Sequence, residues 1–253
     1  DESVIGTMFY IMDMVEGRIL WDVTLSDYAK KDRWPIFEAQ VKTIAQLHSL
    51  DYEAIGLGDY GKPGNYFERQ IGRWTKQYIA SETQKVDNMD RLMAWLPGQI
   101  PQDDATSIVH GDFRLDNMVL HPSKPEVSAV LDWELSTLGH PLGDFTYHLM
   151  QWHMPSIKTM VSASLAGRDL DALGIPTTEQ YIRMYCDAVG RDSIENIDFY
   201  LAFNMFRLAA ILQGIVGRVR DGTASSAHAG EMEKNIPPLA DVGWAFAQKA
   251  GAV

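Results

Sequence analysis

Between residues 108 and 134 the chain places oxygen-bearing side chains at fixed spacing: His110-Gly111-Asp112-Phe113-Arg114-Leu115-Asp116-Asn117, then Leu131-Asp132-Trp133-Glu134. Two short β-favouring runs, Met118-Val119-Leu120 and residues 127–131, lie between them, separated by the turn-forming string His121-Pro122-Ser123-Lys124-Pro125-Glu126. The pattern predicts a β-hairpin. Asn117 stands just before its first strand and Asp132 just after its second, so antiparallel pairing brings both to one end. Opposed residues there have Cα atoms roughly 4.5–5.5 Å apart. Two oxygen donors so placed can share a small hard cation, and Mg²⁺ takes oxygens at about 2.1 Å while leaving positions for water and phosphate. Asp112 lies five residues before Asn117, in the loop that enters the same end. It is a candidate base, or positioning group, beside a metal-bound phosphate, and those are the parts that phosphoryl transfer needs. Taken singly, each carboxylate could equally cap a turn or close a strand. Three residues framing one hairpin favour the chemical reading, although a metal-dependent hydrolase could use the same Asp/Asn pair.

Neighbouring residues qualify the picture. Arg114 either neutralises a transferring phosphate or pairs with Asp116. Glu134 either reaches the metal through water or a substrate group, or is a solvated or paired glutamate. His110 is expected to hold the loop by hydrogen bonds, since the other six histidines show no metal-ligand spacing. His48 falls on an apolar helix face and reads as a satisfied core histidine. Further on, Tyr200, Asn204, Arg207, Ile211, Gly214 and Arg218 recur at four- and three-residue steps along a long helix. Such a line is either an internal hydrogen-bond network, the favoured reading, or a pocket wall in which Asn204 and Arg207 would touch substrate. Trp152-His153-Met154 is a second candidate pocket edge, with core packing as the plain alternative. Gly56-x-Gly58-x-x-Gly61 has the dinucleotide-binding spacing, but no strand precedes it and Lys62-Pro63 follows, so it reads as a glycine-rich connection.

Elements must hold these residues in place. The 253 residues are 46% hydrophobic and 22% charged, enough for one large domain or two small ones with a substantial core. Helical periodicity predicts helices over 65–79, 89–96 (stopped by Pro97-Gly98), 142–152, 178–189, 197–219 and 239–250, and another starting near Pro35 with Ile36, Phe37, Val41, Ile44, Ala45 and His48. Residues 100–106 read as a loop, and 154–176 as a loop with a short turn at 170–173. Residues 7–15 read as a buried strand, which would need partner strands from elsewhere. The expected class is therefore α+β, mostly helical, with a small hairpin carrying the chemistry. A net charge of −12 argues against nucleic acid as the main ligand. The longest apolar stretches, such as 208–212, fall short of a membrane span, and no signal pattern follows Asp1-Glu2, so a soluble, cytoplasmic protein is expected. The single cysteine, Cys186, excludes an internal disulfide and reads as a packing residue.

His110-Gly111-Asp112-x-x-x-x-Asn117, followed fifteen residues later by Asp132, resembles the aminoglycoside phosphotransferase and choline kinase family, which has the protein-kinase-like fold. The resemblance implies an ATP- and Mg²⁺-dependent kinase acting on a small-molecule hydroxyl, with Asp112 as catalytic base, Arg114 beside it, and Asn117 and Asp132 as magnesium ligands. It also implies that Asp144, in Gly143-Asp144-Phe145, helps hold the catalytic loop. Residues 9–17 resemble the strand linking the two lobes, where the backbone of Asp13, Met14 and Val15 would meet adenine. On this reading 1–16 are a remnant of a β-rich N-terminal lobe, otherwise lying upstream, and 17–253 form the helical C-terminal lobe. VHGDFRLDN, LDWELSTLGHPLGD and GLGDYGKPGNYFERQ further resemble a subgroup of kinase-like domains fused to acyl-CoA dehydrogenases. That points to hydroxyacyl compounds, whereas the negative charge would suit aminoglycosides or amino alcohols. The competing expectation is a non-catalytic member that binds or regulates. Oligomeric state is not readable from the sequence.

Overall fold

The longest run of buried apolar residues becomes the axis of the molecule. In the computed structural model, which describes residues 2–155, 164–223 and 229–253, α8 (Ile197–Arg220) is buried along most of its length. Its length and hydropathy would allow a membrane crossing, but 89% of its apolar window is covered by the rest of the chain, as in a core helix. Around it pack α9 (Ile236–Lys249), α3 (Tyr66–Ser81) and α5 (Pro141–Leu149). Phe67 of α3 is the hub: the rings of Tyr66, His140, Phe199, Tyr200 and Phe203 lie 5.0–5.5 Å from it, mostly in edge-to-face or tilted contact. Such pairs add about 0.5–1.5 kcal/mol each beyond simple burial. Helix α4 (Asp87–Trp95) packs on α9. On the opposite side α2 (Lys30–His48) packs against α7 (Thr178–Val189), where Phe37 meets Trp152 and Tyr181. Helix α7 is started by a capping box between Thr177 and Gln180 and ended by Gly190 in the left-handed conformation.

Two small antiparallel sheets lie on this helical body. β2 (Met118–Leu120) pairs with β3 (Val127–Val130), Met118 opposite Val130, with a bulge between Val119 and Leu120. This is the expected hairpin. A second pair, β1 (Ser107–Val109) with β4 (Thr137–Gly139), was not expected, because three-residue strands are too short to show a period of two. Gly139 allows β4 to lie close to α3, since a Cβ there would come within 2.7 Å of the Tyr66 ring.

Several boundaries differ from expectation for physical reasons. Helix α2 begins at Lys30, so Pro35 lies inside it rather than near its first residue. The missing N–H frees only the Lys31 carbonyl, one turn from the helix start, where the backbone is exposed. Beyond α4 the chain continues as a 3-10 turn, Leu96–Gln99, through Pro97-Gly98 instead of stopping there. Helix α5 likewise passes into a 3-10 turn, Met150–Trp152, and α9 starts three residues early, with prolines in its first turn. The expected turn at 170–173 is a short helix, α6 (Leu170–Leu173); residues 156–163 of that loop lie outside the described part.

The predicted strand at 7–15 is not formed. Residues 7–16 have no regular structure, and Met8, Tyr10, Ile11, Met12 and Met14 are 66–88% exposed. A short helix, α1 (Glu2–Ile5), precedes them. The composition favours a strand, but a strand exists only in a ladder. Among the described residues the nearest ladder contact is the single bridge of Arg18 to Leu120, at the edge of the hairpin.

Two core histidines make stability pH-dependent. His140 and His148 are 1% and 3% exposed. His148 donates through Nδ1 to the Phe113 carbonyl (3.2 Å) and accepts at Nε2 from the Tyr181 hydroxyl (2.7 Å). Burial holds both imidazoles down to about 4, from 6.5. Between those values the unfolded chain binds protons that the folded chain refuses, so stability falls as pH drops from about 6.5 toward 4. Urea midpoints measured at pH 7, 6 and 5 should fall progressively, and His148→Gln should flatten the slope; a pH-independent midpoint would contradict this account.

Candidate active site

The candidate loop begins where β1 ends, at Val109. The chain turns at Gly111, whose φ of +86° lies in the region glycine favours and where a Cβ would sit 2.6 Å from the Leu135 carbonyl oxygen. This turn aims two successive amides at one carboxylate. His110 N–H donates to Asp144 Oδ2 at 2.7 Å and Gly111 N–H to Oδ1 at 2.9 Å. Asp144 comes from the first turn of α5 and is buried. Burial alone would push its carboxyl up, but the hydrogen bond and charge of His48 and the two amides outweigh it and hold the carboxyl below its ordinary value. His48 Nε2 lies 3.2 Å from Asp144 Oδ2, and its Nδ1 bonds to the Tyr185 hydroxyl at 2.8 Å. Both of its ring nitrogens are used, as expected of a core histidine.

His110 also stitches the loop. Its Nδ1 accepts from Asp112 N–H at 3.2 Å, which leaves the proton on Nε2 to be donated to the Leu131 carbonyl at 2.8 Å. The loop is thereby tied to the end of β3, and the Trp133 ring packs on the imidazole, centroids 4.9 Å apart. Leu131 N–H donates to the Asn117 carbonyl at 2.8 Å, closing the hairpin end with Leu131 opposite Asn117. The register is therefore one residue off the expected one: β3 ends at Val130, which pairs with Met118, and Asp132 follows one position beyond the residue facing Asn117.

Asp112 is held on both carboxylate oxygens. Oδ1 accepts from the Tyr147 hydroxyl at 2.8 Å, with Arg114 Nε at 3.4 Å, and Oδ2 accepts from Asn117 Nδ2 at 3.2 Å. The same Asn117 nitrogen also donates to the Asp112 carbonyl at 2.9 Å. With its amide nitrogen committed to Asp112, Asn117 keeps its carbonyl oxygen as the atom available to a hard cation. Asp132 sits just after β3 with φ +65° and ψ +56°, a left-handed conformation that Asp tolerates better than most residues, and it is exposed. That kink turns the chain into the 3-10 turn Trp133–Leu135, which carries exposed Glu134.

Arg114 makes the expected pair with Asp116 and also faces Asp112. Its Nη2 bonds to Asp116 Oδ2 at 2.8 Å while its Nε faces Asp112. Burial opposes its charge, yet Asp112, Asp116, Tyr147 and Asp132 together raise its pKa, so these groups converge on one guanidinium. Among the described residues no group of three His, Cys, Asp or Glu side chains could hold a metal alone. A cation at Asn117 and Asp132 would complete its shell with phosphate and water, and the oxygen donors present fit Mg²⁺.

Other candidates fall elsewhere. Asn204 is fully buried, donating to the Gly143 carbonyl (3.1 Å) and the Thr146 hydroxyl (2.8 Å), so it belongs to an internal network and is closed to a substrate. Arg207 is 4% exposed and donates to the Gly111 carbonyl at 2.6 Å, which places it in the same network. Trp152 and Met154 are buried, and Trp152 Nε1 bonds to the Pro176 carbonyl, so this segment packs in the core. The glycines at 56, 58 and 61 lie in a connection, where Gly61 backs directly onto Thr137 and Leu138 of β4. Asp13, Met14 and Val15 are exposed in the segment without regular structure, and Cys186 is buried. The residue missed from sequence is Tyr147. Its signal was available, because it follows Asp144 by three residues and so shares a face of α5.

Known proteins resemble the chain over nearly its whole length. Acyl-CoA dehydrogenase family member 10 of Mus musculus is 45% identical over 251 residues, which cover 99% of this chain and 23% of that protein, so the chain spans about a quarter of that relative's length. The crystal structure of a candidate aminoglycoside phosphotransferase from Ralstonia eutropha superposes with a TM-score of 0.92 at 56% identity, covering 98% of this chain and 75% of that one. Macrolide 2'-phosphotransferase MphH of Brachybacterium faecium shares the fold, with a TM-score of 0.55 at 18% identity over 89% of this chain and 68% of that one. The sequence pattern of the phosphotransferase enzyme family matches residues 1–181. On this match the chain belongs to the phosphotransferase enzyme family and has its protein-kinase-like fold.

Proposed function

We propose that this chain carries the catalytic machinery of an ATP- and Mg²⁺-dependent kinase that phosphorylates a hydroxyl of a small molecule. The observation that carries the reading is the Asn117 amide, committed through its nitrogen to Asp112 at 2.9 and 3.2 Å so that its oxygen remains for a cation beside the candidate base. Asp112 orients the acceptor hydroxyl and takes its proton as the acceptor oxygen bonds to the γ-phosphorus and the bond from that phosphorus to the β–γ bridging oxygen breaks, releasing ADP. Asn117 and Asp132 would hold Mg²⁺, which when bound neutralises charge on the β- and γ-phosphates. Arg114, already between Asp112 and Asp116, adds positive charge where the phosphoryl group passes. The backbone of Asp13, Met14 and Val15 is assigned to the adenine, and Glu134 to a water-mediated contact with the metal.

Hydroxyacyl compounds are the favoured acceptor class. The support is the 45% identity to part of a protein whose name is that of an acyl-CoA dehydrogenase, and fold-level likeness to antibiotic kinases is weaker evidence for substrate. The direct test is ADP release from Mg-ATP by the full-length protein, with hydroxyacyl-CoAs, aminoglycosides and amino alcohols as acceptors. Release that depends on one class names the acceptor. Nucleotide binding without release for any acceptor would favour a regulatory module, and absence of Mg-nucleotide binding would overturn the kinase reading.

Two substitutions separate the roles. Asp112→Ala should lower kcat by ~10²–10⁴-fold, the range for a positioned acid–base group. Near-normal turnover would remove Asp112 from the mechanism. Asp132→Ala should leave a folded protein whose nucleotide affinity no longer responds to Mg²⁺, measured by calorimetric titration with and without the metal; an unchanged metal response would exclude Asp132 as a ligand.

A further inference from the structure

We infer that Tyr147 and Arg207 form a positioning unit that fixes Asp112 from behind, one acting on its carboxylate and the other on the peptide that carries it. The inference rests on the kinase reading for its consequence in catalysis, and on the geometry alone for its existence.

Arg207 is the anomaly that leads to it. It is 4% exposed, and among the described residues no carboxylate lies within ion-pair distance of it. Its Nε and Nη1 are buried without a hydrogen-bond partner. An uncompensated buried cation is costly, and an apolar side chain of the same volume would fill this space without that cost. The contacts it does make all lead to the catalytic loop. Nη2 donates to the Gly111 carbonyl at 2.6 Å, and the guanidinium lies 4.7 Å from the centroid of the Tyr147 ring and 5.8 Å from that of Trp74. Rings stacked in this way stabilise a guanidinium by their negative faces.

Gly111 is consequently clamped at both ends. Its N–H is held by Asp144 at 2.9 Å, and its C=O, half of the peptide bond to Asp112, is held by Arg207. The backbone leading into Asp112 cannot rotate without breaking one of two charge-assisted bonds. Tyr147 then fixes the side chain. The ring is 6% exposed, and its hydroxyl donates to Asp112 Oδ1 at 2.8 Å. Burial and the Asp112 charge raise the phenol pKa above its ordinary value, so the hydroxyl remains a donor. Tyr147 and Asp144 are one helical turn apart on α5, so a single helix sets both the loop backbone and the direction of the carboxylate.

Tyr147→Phe is the informative variant, because it keeps the ring against Arg207 and removes only the hydroxyl. It should lower kcat by about 10- to 100-fold, the effect of losing one hydrogen bond to a charged group, with KM for Mg-ATP within about twofold of wild type. In an Asp112→Ala background the same change should cause no further loss, since the group it positions is gone. Arg207→Met risks unfolding, so Arg207→Lys is the second variant; it keeps charge, loses the planar contact, and should also lower kcat without raising KM. Wild-type kcat in Tyr147→Phe, or losses that simply multiply with Asp112→Ala, would overturn the inference. A second readout needs no activity: in protein labelled with 3-fluorotyrosine, the line that disappears in Tyr147→Phe should shift when Asp112 is changed to Ala. An unmoved line would refute the contact. If wild type transfers phosphate to no acceptor, the kinase reading fails while the fluorine line still decides this one.

Discussion

The buried carboxylate of Asp144 is the point on which the rest of the site depends. A carboxylate with no solvent exposure loses its hydration at a cost of several kcal/mol, and it is retained only where donors replace the lost water. Here three do: the amides of His110 and Gly111 and the ring of His48. Two of those donors are backbone groups of the loop itself, so the charge is satisfied only when the loop has its observed shape. The bond runs both ways. Asp144 needs the loop to remain ionised in the interior, and the loop needs Asp144 because no strand neighbour takes the His110 and Gly111 amides.

The helical body exists, from this viewpoint, to present Asp144 and its companions rigidly. α5 is held against α8 by Asn204, which spans the Gly143 carbonyl and the Thr146 hydroxyl, and by His140 at its N-terminus, whose ring packs on Phe67 and on Tyr200 of α8. α2 contributes His48 from the other side, backed by Tyr185 of α7, whose ring stacks on Phe145 at 3.9 Å. Asn204 of α8, His48 of α2 and Tyr185 of α7 each join a different helix to the same short stretch of chain, residues 143–148. A loop with few bonds of its own thus takes its stiffness from the core, where side chains have little room to move.

How much of this was legible in the sequence depended on the range of the interaction. The hairpin was readable because its turn residues and its strands are adjacent, and with it the arrival of Asn117 and Asp132 at one end, although the exact register differed by one residue. Helices α3, α5, α7 and α8 were readable because their buried faces repeat locally. The pairing of β1 with β4 was not, because it joins residues about thirty apart through strands too short to carry a pattern. Residues 7–15 failed in the opposite way: their β-favouring composition was real, but a strand is a property of a pair. Arg207 and Asn204 showed as a polar line on an apolar helix, yet only the fold revealed that Asn204 faces α5 and Arg207 the Gly111 carbonyl rather than an open pocket. Tyr147 shares a face of α5 with Asp144 by spacing, but that spacing does not distinguish a tyrosine that packs from one that also donates.

Charge balance gives the last step. Asp112, Asp116 and Asp132 all bear on Arg114, so three carboxylates converge where one guanidinium answers them. Asp144, behind the loop, adds a fourth negative group that is satisfied by its own donors. Carboxylates so close repel one another, and among the described residues exposed Asp132 has no cation of its own at salt-bridge distance. A divalent cation at Asn117 and Asp132 would relieve that excess, and its remaining coordination positions would suit phosphate oxygens. The Arg114 pairings have a further consequence: on the proposed kinase reading they would keep its charge beside Asp112 before any nucleotide bound, so that the positive group would need little rearrangement at the moment of reaction.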